Sequence, residues 1–369
     1  MLSLVLALAA HGDIEVAERM IDRRLTLYRR ELGELSPKSI VASPSGAVFA
    51  QNMIYNHSVT VFDREGNRVA DISDRVSREL LGLDGKGFVR GAPVEAAVST
   101  DGASLFVSNY YLLGKGFPGN VTDECTLKKP PPSYVFEIDI ARREVVRGFE
   151  VGPAPKFLAV THDGKRLLVS NWCGHTLSII DLTGQAPTTH LRVGSFPRGI
   201  AIEPDDSMAY VASMGRNQID VVDLTTLEVV RSFKPGRGPR HLVLARDGRL
   251  FVSLSHESSV IALDKATGDI ASRVRVGKDP RSMALSSDGT ALYVANYDEA
   301  ALAVVDTATM KVVQKIATGP APIGVTFEPN EQRVWVSCYQ GSVRLYDSRG
   351  AVPHKSTRYV RDEAKRFPK

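Results

Sequence analysis

Cysteine is scarce in this sequence, and several familiar motifs are absent. The 369 residues include only Cys125, Cys173 and Cys338, which are too few for a disulfide-based scaffold and leave at least one outside any internal bridge. Beyond the N-terminus, no segment approaches the roughly 20 apolar residues of a membrane-spanning helix. The Gly-x-Ser-x-Gly and His-Glu-x-x-His motifs do not occur, which excludes two common hydrolase classes.

The excess positive charge is confined to the C-terminal tail. The formal net charge is +4, and residues 352–369 contain six Lys or Arg against only Asp362 and Glu363. This difference accounts for the whole excess, so the rest of the chain is close to neutral. A neutral body argues against a protein that coats nucleic acid through charge alone.

The N-terminus has two interpretations. "MLSLVLALAAHGD" is apolar and contains an Ala-x-Ala ending at Ala9, as at the end of a secretory signal, but it lacks a positive n-region. Residues 1–24 are therefore either a short helix with a buried apolar face or the remnant of a signal or anchor. We expect a secreted, periplasmic or membrane-associated location rather than a cytoplasmic one.

A proline-containing phrase recurs seven times along the chain. The first two intervals are 56 and 62 residues, and the other four are 41 or 42. The recurring prolines are Pro37, Pro93, Pro155, Pro197, Pro239, Pro280 and Pro322. Self-similarity at a fixed period of this length indicates a propeller or a solenoid.

Each repeat contains four short strand-like segments, which we name A to D. In residues 194–236, segments 199–203, 208–213, 218–223 and 229–234 are rich in β-branched residues and are separated by polar turns, as antiparallel strands are. Asp-Gly pairs at 163–164, 247–248 and 288–289 suit tight A–B turns. We predict an all-β fold, a seven-bladed β-propeller with four-stranded antiparallel blades, over residues 25–350.

The last blade needs a strand from elsewhere in the chain. The seventh repeat supplies segments 323–328, 333–338 and 342–347 and then loses the pattern. Residues 25–38 align with the D segments of other repeats, so we predict that an N-terminal strand closes the ring. The alternative is a strand at residues 356–360, but that segment lies in the basic tail (residues 351–369).

The repeats resemble a known family. "RLLVSNWCGHTLSIIDLT" and "ALYVANYDEAALAVVDTAT" are similar to the repeat of YVTN/YncE-like seven-bladed propellers, in which a strand ends at an Asn-containing corner. The resemblance covers roughly residues 25–350. It implies the propeller fold and exported or envelope proteins, but it implies no particular reaction. Blades 4, 5 and 7 lack the Asn ("VASM", "VSLS", "VSCY").

Two insertions fall on the face that carries the B–C loops, here called the top. They are residues 75–91, between blades 1 and 2, and residues 110–133, within blade 2. Long loops on a rigid scaffold are often functional. We predict that both form lid loops over blades 1 to 3, and the alternative is neutral surface variation.

The residue after each repeat proline is predicted to lie at the mouth of the central channel. Five of these seven positions are basic: Lys38, Lys156, Arg198, Arg240 and Arg281. A concave ring of like charge favours anions, and Arg suits carboxylate or phosphate. The alternative is that each one pairs with a neighbouring carboxylate, such as Glu95 or Asp279.

Other candidates lie on the same face. Cys125 and Cys173 fall in loops of adjacent blades, which favours a disulfide and agrees with export; the alternative is a reduced, buried Cys173. Further ligand-binding candidates are His241, Asn171, Trp172 and His175. The spacing Cys173-Gly-His175 is not a metal signature by itself, so we predict neither a metal site nor a cofactor.

Three functions remain. The basic rim and the two insertions favour a non-catalytic binding module whose top face recognises an anionic small molecule, peptide or protein partner. The alternative is a propeller enzyme, either lactonase-like or a metal-dependent hydrolase, which needs carboxylates or histidines at the channel. A third possibility is single-stranded nucleic-acid binding, in which Tyr110, Tyr111, Trp172, Tyr297 and Tyr339 stack bases. The near-neutral body makes nucleic acid the least favoured partner.

Overall fold

The computed structural model describes residues 25–349, apart from residues 34, 55, 119 and 120. The N-terminal segment 1–24, the basic tail and the alternative strand at 356–360 lie outside this part. Within it, no helix is long and apolar enough to cross a membrane.

Seven sheets form a closed ring, as the repeat spacing predicts. Each contains four antiparallel strands in the order A-B-C-D, and the A strands of neighbouring blades contact one another around the channel. Blade 1 contains Pro37–Ala42, Val48–Asn52, Ser58–Phe62 and Arg68–Ser73. Blade 2 contains Phe88–Val98, Ser104–Gly114, Ser133–Asp139 and Glu144–Val151, with Arg75–Ser77 and Phe117–Pro118 added.

The remaining blades are more uniform. Blade 3 contains Pro155–Val160, Arg166–Asn171, Thr176–Asp181 and Thr189–Arg192. Blade 4 contains Pro197–Ile202, Met208–Ser213, Gln218–Asp223 and Glu228–Phe233. Blade 5 contains Pro239–Leu244, Arg249–Leu254, Ser259–Asp264 and Ile270–Arg275. Blade 6 contains Pro280–Leu285, Ala291–Asn296, Ala301–Asp306 and Lys311–Ala317. Short 3₁₀ helices are Glu79–Leu81, Met214–Arg216, Ser255–Glu257 and Tyr297–Glu299.

The N-terminal strand closes the seventh blade, and this prediction is confirmed. Blade 7 contains Pro322–Glu328, Arg333–Cys338 and Ser342–Asp347, with Thr26–Leu32 as its outer strand. The pairing runs from Thr26 opposite Asp347 to Leu32 opposite Ser342. The first and last described strands therefore lie side by side, and hydrogen bonds between them hold the ring shut.

Apolar side chains on both faces of the strands fill the spaces between blades. Between blades 4 and 5, Tyr210, Ile219, Leu250 and Ile261 belong to one buried cluster. Between blades 7 and 1, Trp335 is buried with its ring 5.7 Å from that of Phe62. Alternation along each strand thus buries two faces, because every blade has a neighbour on either side.

The two insertions differ in what they contact. Strand Arg75–Ser77 pairs with the start of the A strand of blade 2, and Leu81 packs with Phe136 of the same blade. A side chain at position 148 would collide with Leu81, so Gly148 permits this packing. Residues 75–91 therefore cover blade 2 on the side that faces blade 1, and none of them lines the cavity at the channel mouth.

Candidate functional site

The A strands converge on a small cavity at the top of the channel. Its volume is about 30 Å³. All five predicted basic residues line it, and the full lining is Lys38, Glu95, Lys156, Phe157, Arg198, Gly199, Arg240, His241, Arg281, Ser282 and Ile323. The strand register is irregular just after each repeat proline. The first and second residues after the repeat prolines both contribute to its lining.

Gly199 allows two blades to meet closely at this cavity. A Cβ atom here would lie 2.9 Å from the main-chain oxygen of Arg240 and 2.9 Å from the Cα of His241. Any side chain would push the inner strands of blades 4 and 5 apart. The glycine therefore fixes the distance at which Arg198 and Arg240 face the channel.

Four of the five cations rest on aromatic rings, of which Tyr110 lies within a B strand and the other three directly follow one. Lys156 Nζ lies 3.9 Å from the ring centre of Tyr110, and Arg198 Cζ lies 4.7 Å from that of Trp172. The other two pairs, Lys38 with Tyr339 and Arg281 with Tyr297, are 4.6 Å and 3.4 Å apart. Cation–π contacts favour a desolvated cation. These ring faces already hold cations, and nucleic-acid stacking on them stays a prediction.

Three of the cations have no carboxylate partner. Lys156 pairs with Asp123 at 2.7 Å and Arg281 with Asp279 at 2.7 Å. No carboxylate of the described chain lies within ion-pairing distance of Lys38, Arg198 or Arg240, and the buried Nε of Arg198 has no hydrogen-bond partner there. Buried, unpaired charges are costly, and an anion among them would offset that cost.

Asp123, in the second insertion, contacts a lining residue at the edge of the cavity. Its Oδ1 accepts hydrogen bonds from Tyr110 Oη at 2.5 Å and from Lys156 Nζ at 2.7 Å. Its main-chain oxygen accepts one from Trp172 Nε1 at 2.8 Å. Burial opposes ionisation, but the charges of Lys156 and Arg198 outweigh it and hold the pKa of Asp123 well below its usual range. Asp123 is therefore ionised at neutral pH. Its side chain is 52% exposed.

A disulfide fixes this loop to the next blade. Cys125 and Cys173 are bonded, with their Cα atoms 5.3 Å apart, which confirms the predicted pair and contradicts the alternative of a reduced Cys173. The third cysteine, Cys338, is free and buried in blade 7. The bond joins residues 48 positions apart and attaches the loop from blade 2 to the top of blade 3.

Two groups at the cavity titrate near neutral pH. Burial raises the pKa of Glu95 to about 7, against the opposing charge of Arg198. Burial and the charge of Arg198 lower the pKa of Lys38 to about 8. Perturbed pKa values of this kind are frequent at functional sites. Protonation of either group makes the cavity more positive.

The other predicted residues occupy varied positions. His241 lines the cavity; its Nδ1 accepts a hydrogen bond from the main-chain N of Met283 at 3.2 Å, and burial lowers its pKa to about 4. His175 lies at the top of blade 3 with its ring 5.0 Å from that of Phe196. Asn171 is fully buried inside blade 3 and donates to Thr176 and Ser178. Asn171 therefore organises the blade corner, away from the channel.

Sequence reasoning missed Asp123 and placed Glu95 only as a possible partner. Asp123 stands two residues before Cys125. The predicted disulfide to Cys173 therefore already implied that Asp123 lies near Lys156 in blade 3. Glu95 is the second residue after its repeat proline, Pro93, and the irregular register that brings this position to the cavity has no separate sequence signal.

Comparison with known proteins supports the propeller fold, but it does not identify the family of this chain. A family model described as "Cytochrome D1 heme domain" matches residues 215–346, a little over a third of the chain. The solved structure "Kuenenia stuttgartiensis Hydrazine Synthase" is similar over 85% of this chain and 96% of that one, with a TM-score of 0.65 and 19% identity. In total 1653 structural chains match, so the fold alone does not select a function. No curated protein matches, and membership of the YVTN/YncE-like family stays a prediction.

A haem, which the matched family's description names, does not fit this site. Pockets for drug-sized ligands occupy about 300–1,000 Å³, whereas this cavity offers about 30 Å³. Nδ1 of His241, the histidine in the lining, already accepts a main-chain hydrogen bond. Among described residues, no group of three or more His, Cys, Asp or Glu could hold a metal ion. The matched segment also omits Lys38, Glu95, Asp123, Lys156 and Arg198.

Proposed function

We propose that this propeller binds an anionic ligand in the basic cavity at its channel mouth. The observation that carries the proposal is the set of three cations, Lys38, Arg198 and Arg240, that no described carboxylate pairs. A folded protein gains nothing in stability from burying such charges unpaired. An anion that accepts hydrogen bonds from them supplies the missing partner.

The balance of charge at the cavity supports the same function. Five cations face the carboxyl groups of Glu95, Asp123 and Asp279, and the high pKa of Glu95 leaves it partly protonated near pH 7. Arg198 and Arg240 remain charged at any physiological pH. The site therefore keeps a positive potential that attracts and retains anions.

The test is a pair of arginine substitutions. Calorimetry with formate and nitrate as probes compares the wild type with R198A/R240A. We expect at least about a 100-fold loss of affinity, because a hydrogen bond to a charged group contributes about 1.5–3 kcal/mol. R246A is the matched control, since Arg246 is exposed on the A–B turn of blade 5 at the opposite face. Unchanged affinity in R198A/R240A rejects the proposal.

A second candidate function is acid–base chemistry on the bound anion. Glu95 supports it, because a carboxyl group with a pKa of about 7 beside Arg198 can both accept and donate a proton at neutral pH. The site has the carboxylate that an enzyme at this channel requires. This chemistry uses a carboxyl group and needs no metal ion; among the described residues, no group of three or more His, Cys, Asp or Glu is arranged to hold one.

Turnover can be tested without knowing the substrate. A panel of small organic acids and their esters or lactones is incubated with wild type and E95Q, and conversion is followed by NMR. General acid–base catalysis contributes about 10²–10⁴-fold, so E95Q should be slower by at least 100-fold on any compound that wild type converts. Equal rates in both proteins remove Glu95 from the chemistry, and no conversion of any compound leaves the binding function alone.

We also propose that the protein works in an oxidising compartment. The Cys125–Cys173 disulfide supports this, because such bonds persist mainly outside the cytosol. Mass spectrometry of the protein isolated from its native cells, with thiols blocked at lysis, tests it. A free thiol at both positions contradicts the assignment.

A further inference from the structure

The second insertion reaches the edge of the basic cavity instead of standing away from it, because Asp123 contacts Lys156 of the lining. Its described part next to the cavity, here called the mouth loop, is residues 121–133. Cys125 is bonded to Cys173, and Cys173 Sγ lies 3.6 Å from the oxygen of Thr122. Val121 is buried with Tyr110 and Cys173. The loop therefore starts in blade 2 and is anchored on blade 3, beside the cavity.

Asp123 forms the innermost point of the mouth loop. Three hydrogen bonds hold it: from Tyr110, from Lys156 and, at its main-chain oxygen, from Trp172. Lys156, only 1% exposed, belongs to the cavity lining. The carboxylate and the disulfide-bonded turn therefore stand at the rim, and the lining of the cavity itself comes from the inner strands.

The cavity beside the mouth loop is small. A cavity of about 30 Å³ compares with about 10–15 Å³ for one enclosed water. It accommodates two or three water-sized groups. A chloride ion or an oxyanion of three or four heavy atoms fits this volume, whereas a tricarboxylate, a sugar phosphate or a nucleotide does not.

The charges beneath the mouth loop remain available when it is in place. Asp123 pairs with Lys156, but Lys38, Arg198 and Arg240 keep no described ion-pair partner. A ligand that replaced Asp123 would leave these three cations unpaired. One that sits below Asp123 pairs with them and leaves the Lys156 contact intact.

We propose that the mouth loop, held by Asp123 and the Cys125–Cys173 bond, is a size filter that restricts the basic cavity to small anions of up to four heavy atoms. This inference rests on the proposed anion-binding function and specifies its ligand class. Asp123 acts here as a specificity-determining residue, and the disulfide as the constraint that keeps it in position.

The experiment releases the loop without altering the charge. Calorimetry on the full chain compares wild type with C125S/C173S, with formate as the small probe and citrate as the large one. We expect wild type to bind formate at least tenfold more tightly than citrate. In C125S/C173S, citrate affinity should rise at least tenfold while formate affinity changes less than threefold. E124Q, an exposed neighbour of Asp123, is the control and should behave as wild type.

The outcomes distinguish failure of the size filter from failure of the proposed anion-binding function. If wild type binds citrate as tightly as formate, or if release of the loop strengthens both probes equally, the size filter is rejected and anion binding stands. The second of these results makes Asp123 a competitor for the ligand's position. If no protein binds either probe, the proposed function itself fails. Should C125S/C173S not fold, wild type with the disulfide reduced by a phosphine, checked by circular dichroism, replaces it.

Discussion

The two halves of the ring contribute different kinds of charge to one cavity. Blades 4 to 6 each place an arginine there, at the same position of a repeat that spans 41 or 42 residues. Blades 1 to 3 place Lys38, Glu95 and Lys156 there, and the mouth loop adds Asp123. The regular half supplies permanent cations, since arginine does not deprotonate. The irregular half supplies groups whose charge depends on pH and on a loop.

This division also explains the reach of the comparisons. The family model matches residues 215–346, which lie in the regular half and blade 7. Repeats of uniform length satisfy the same packing rules in unrelated propellers, so likeness there follows from the architecture. The insertions and the disulfide lie outside the match. What distinguishes this site is therefore in the part that the comparison does not cover.

The largest effect is expected where blade 7 meets blade 1 of the irregular half. Trp335 is buried between blades 7 and 1, against Phe62. Trp335→Ala should destabilise the protein by about 3–5 kcal/mol, because it leaves a large cavity at the closing contact of the ring. Chemical denaturation followed by circular dichroism measures it. Phe88→Ala, at a side chain 53% exposed in the first insertion, is the control and should change stability by less than about 0.5 kcal/mol.

A small effect of Trp335→Ala would mean that closure depends on the hydrogen bonds of the N-terminal strand more than on packing. The halves would then be coupled by backbone pairing. In that case, substitutions in the inter-blade core should be tolerated equally well on either side of the ring.

The next effect separates the two insertions of the irregular half. Leu81 is buried against Phe136 and lies over Gly148. Leu81→Ala should cost about 2–3 kcal/mol in stability, at the low end for buried leucine since the site is at the surface of blade 2. It should leave formate affinity unchanged, because residues 75–91 do not line the cavity. An affinity change of more than threefold would give the first insertion a part in the site.

How much the sequence predicts follows the same division. Prolines and Asp-Gly turns predict the seven blades; in blade 4 the predicted and observed strands differ by at most two residues at either end. Repetition also predicts that Arg198, Arg240 and Arg281 meet. It does not predict that residues 75–91 pack on blade 2 or that Asp123 enters the mouth. Insertions have no equivalent in the other repeats, and their positions depend on tertiary contacts.

A smaller effect concerns the contact between the mouth loop and Lys156. Asp123→Ala leaves this fully buried amine without its partner, and an unpaired buried polar group costs about 1–3 kcal/mol. The double variant D123A/K156M should recover most of that loss, because methionine fills the space without a charge. Thermal and denaturant unfolding of the single and double variants measures the coupling. Additive losses would show that Lys156 does not depend on Asp123.

The smallest expected effect is the pH dependence of anion binding, which originates in the irregular half alone. As the pH falls from 9 to 6, Lys38 gains a positive charge near its pKa of about 8 and Glu95 loses a negative charge near its pKa of about 7. Both changes make the cavity more positive, so affinity rises as the pH falls. His241 remains neutral in this range, because its pKa is about 4.

By linkage, an anion that raises a group's pKa by one unit binds about tenfold more tightly to the protonated form. With about half a unit for each of the two groups, or about threefold per group, calorimetry with formate should show about a tenfold gain over this range in wild type. E95Q should lose the part of the gain near pH 7, and K38M the part near pH 8, whereas R246A should keep both. If the pH profile persists unchanged in both E95Q and K38M, the titrating group is neither Glu95 nor Lys38. The pH dependence would then not originate in the irregular half, and the division of charge between the two halves would be wrong.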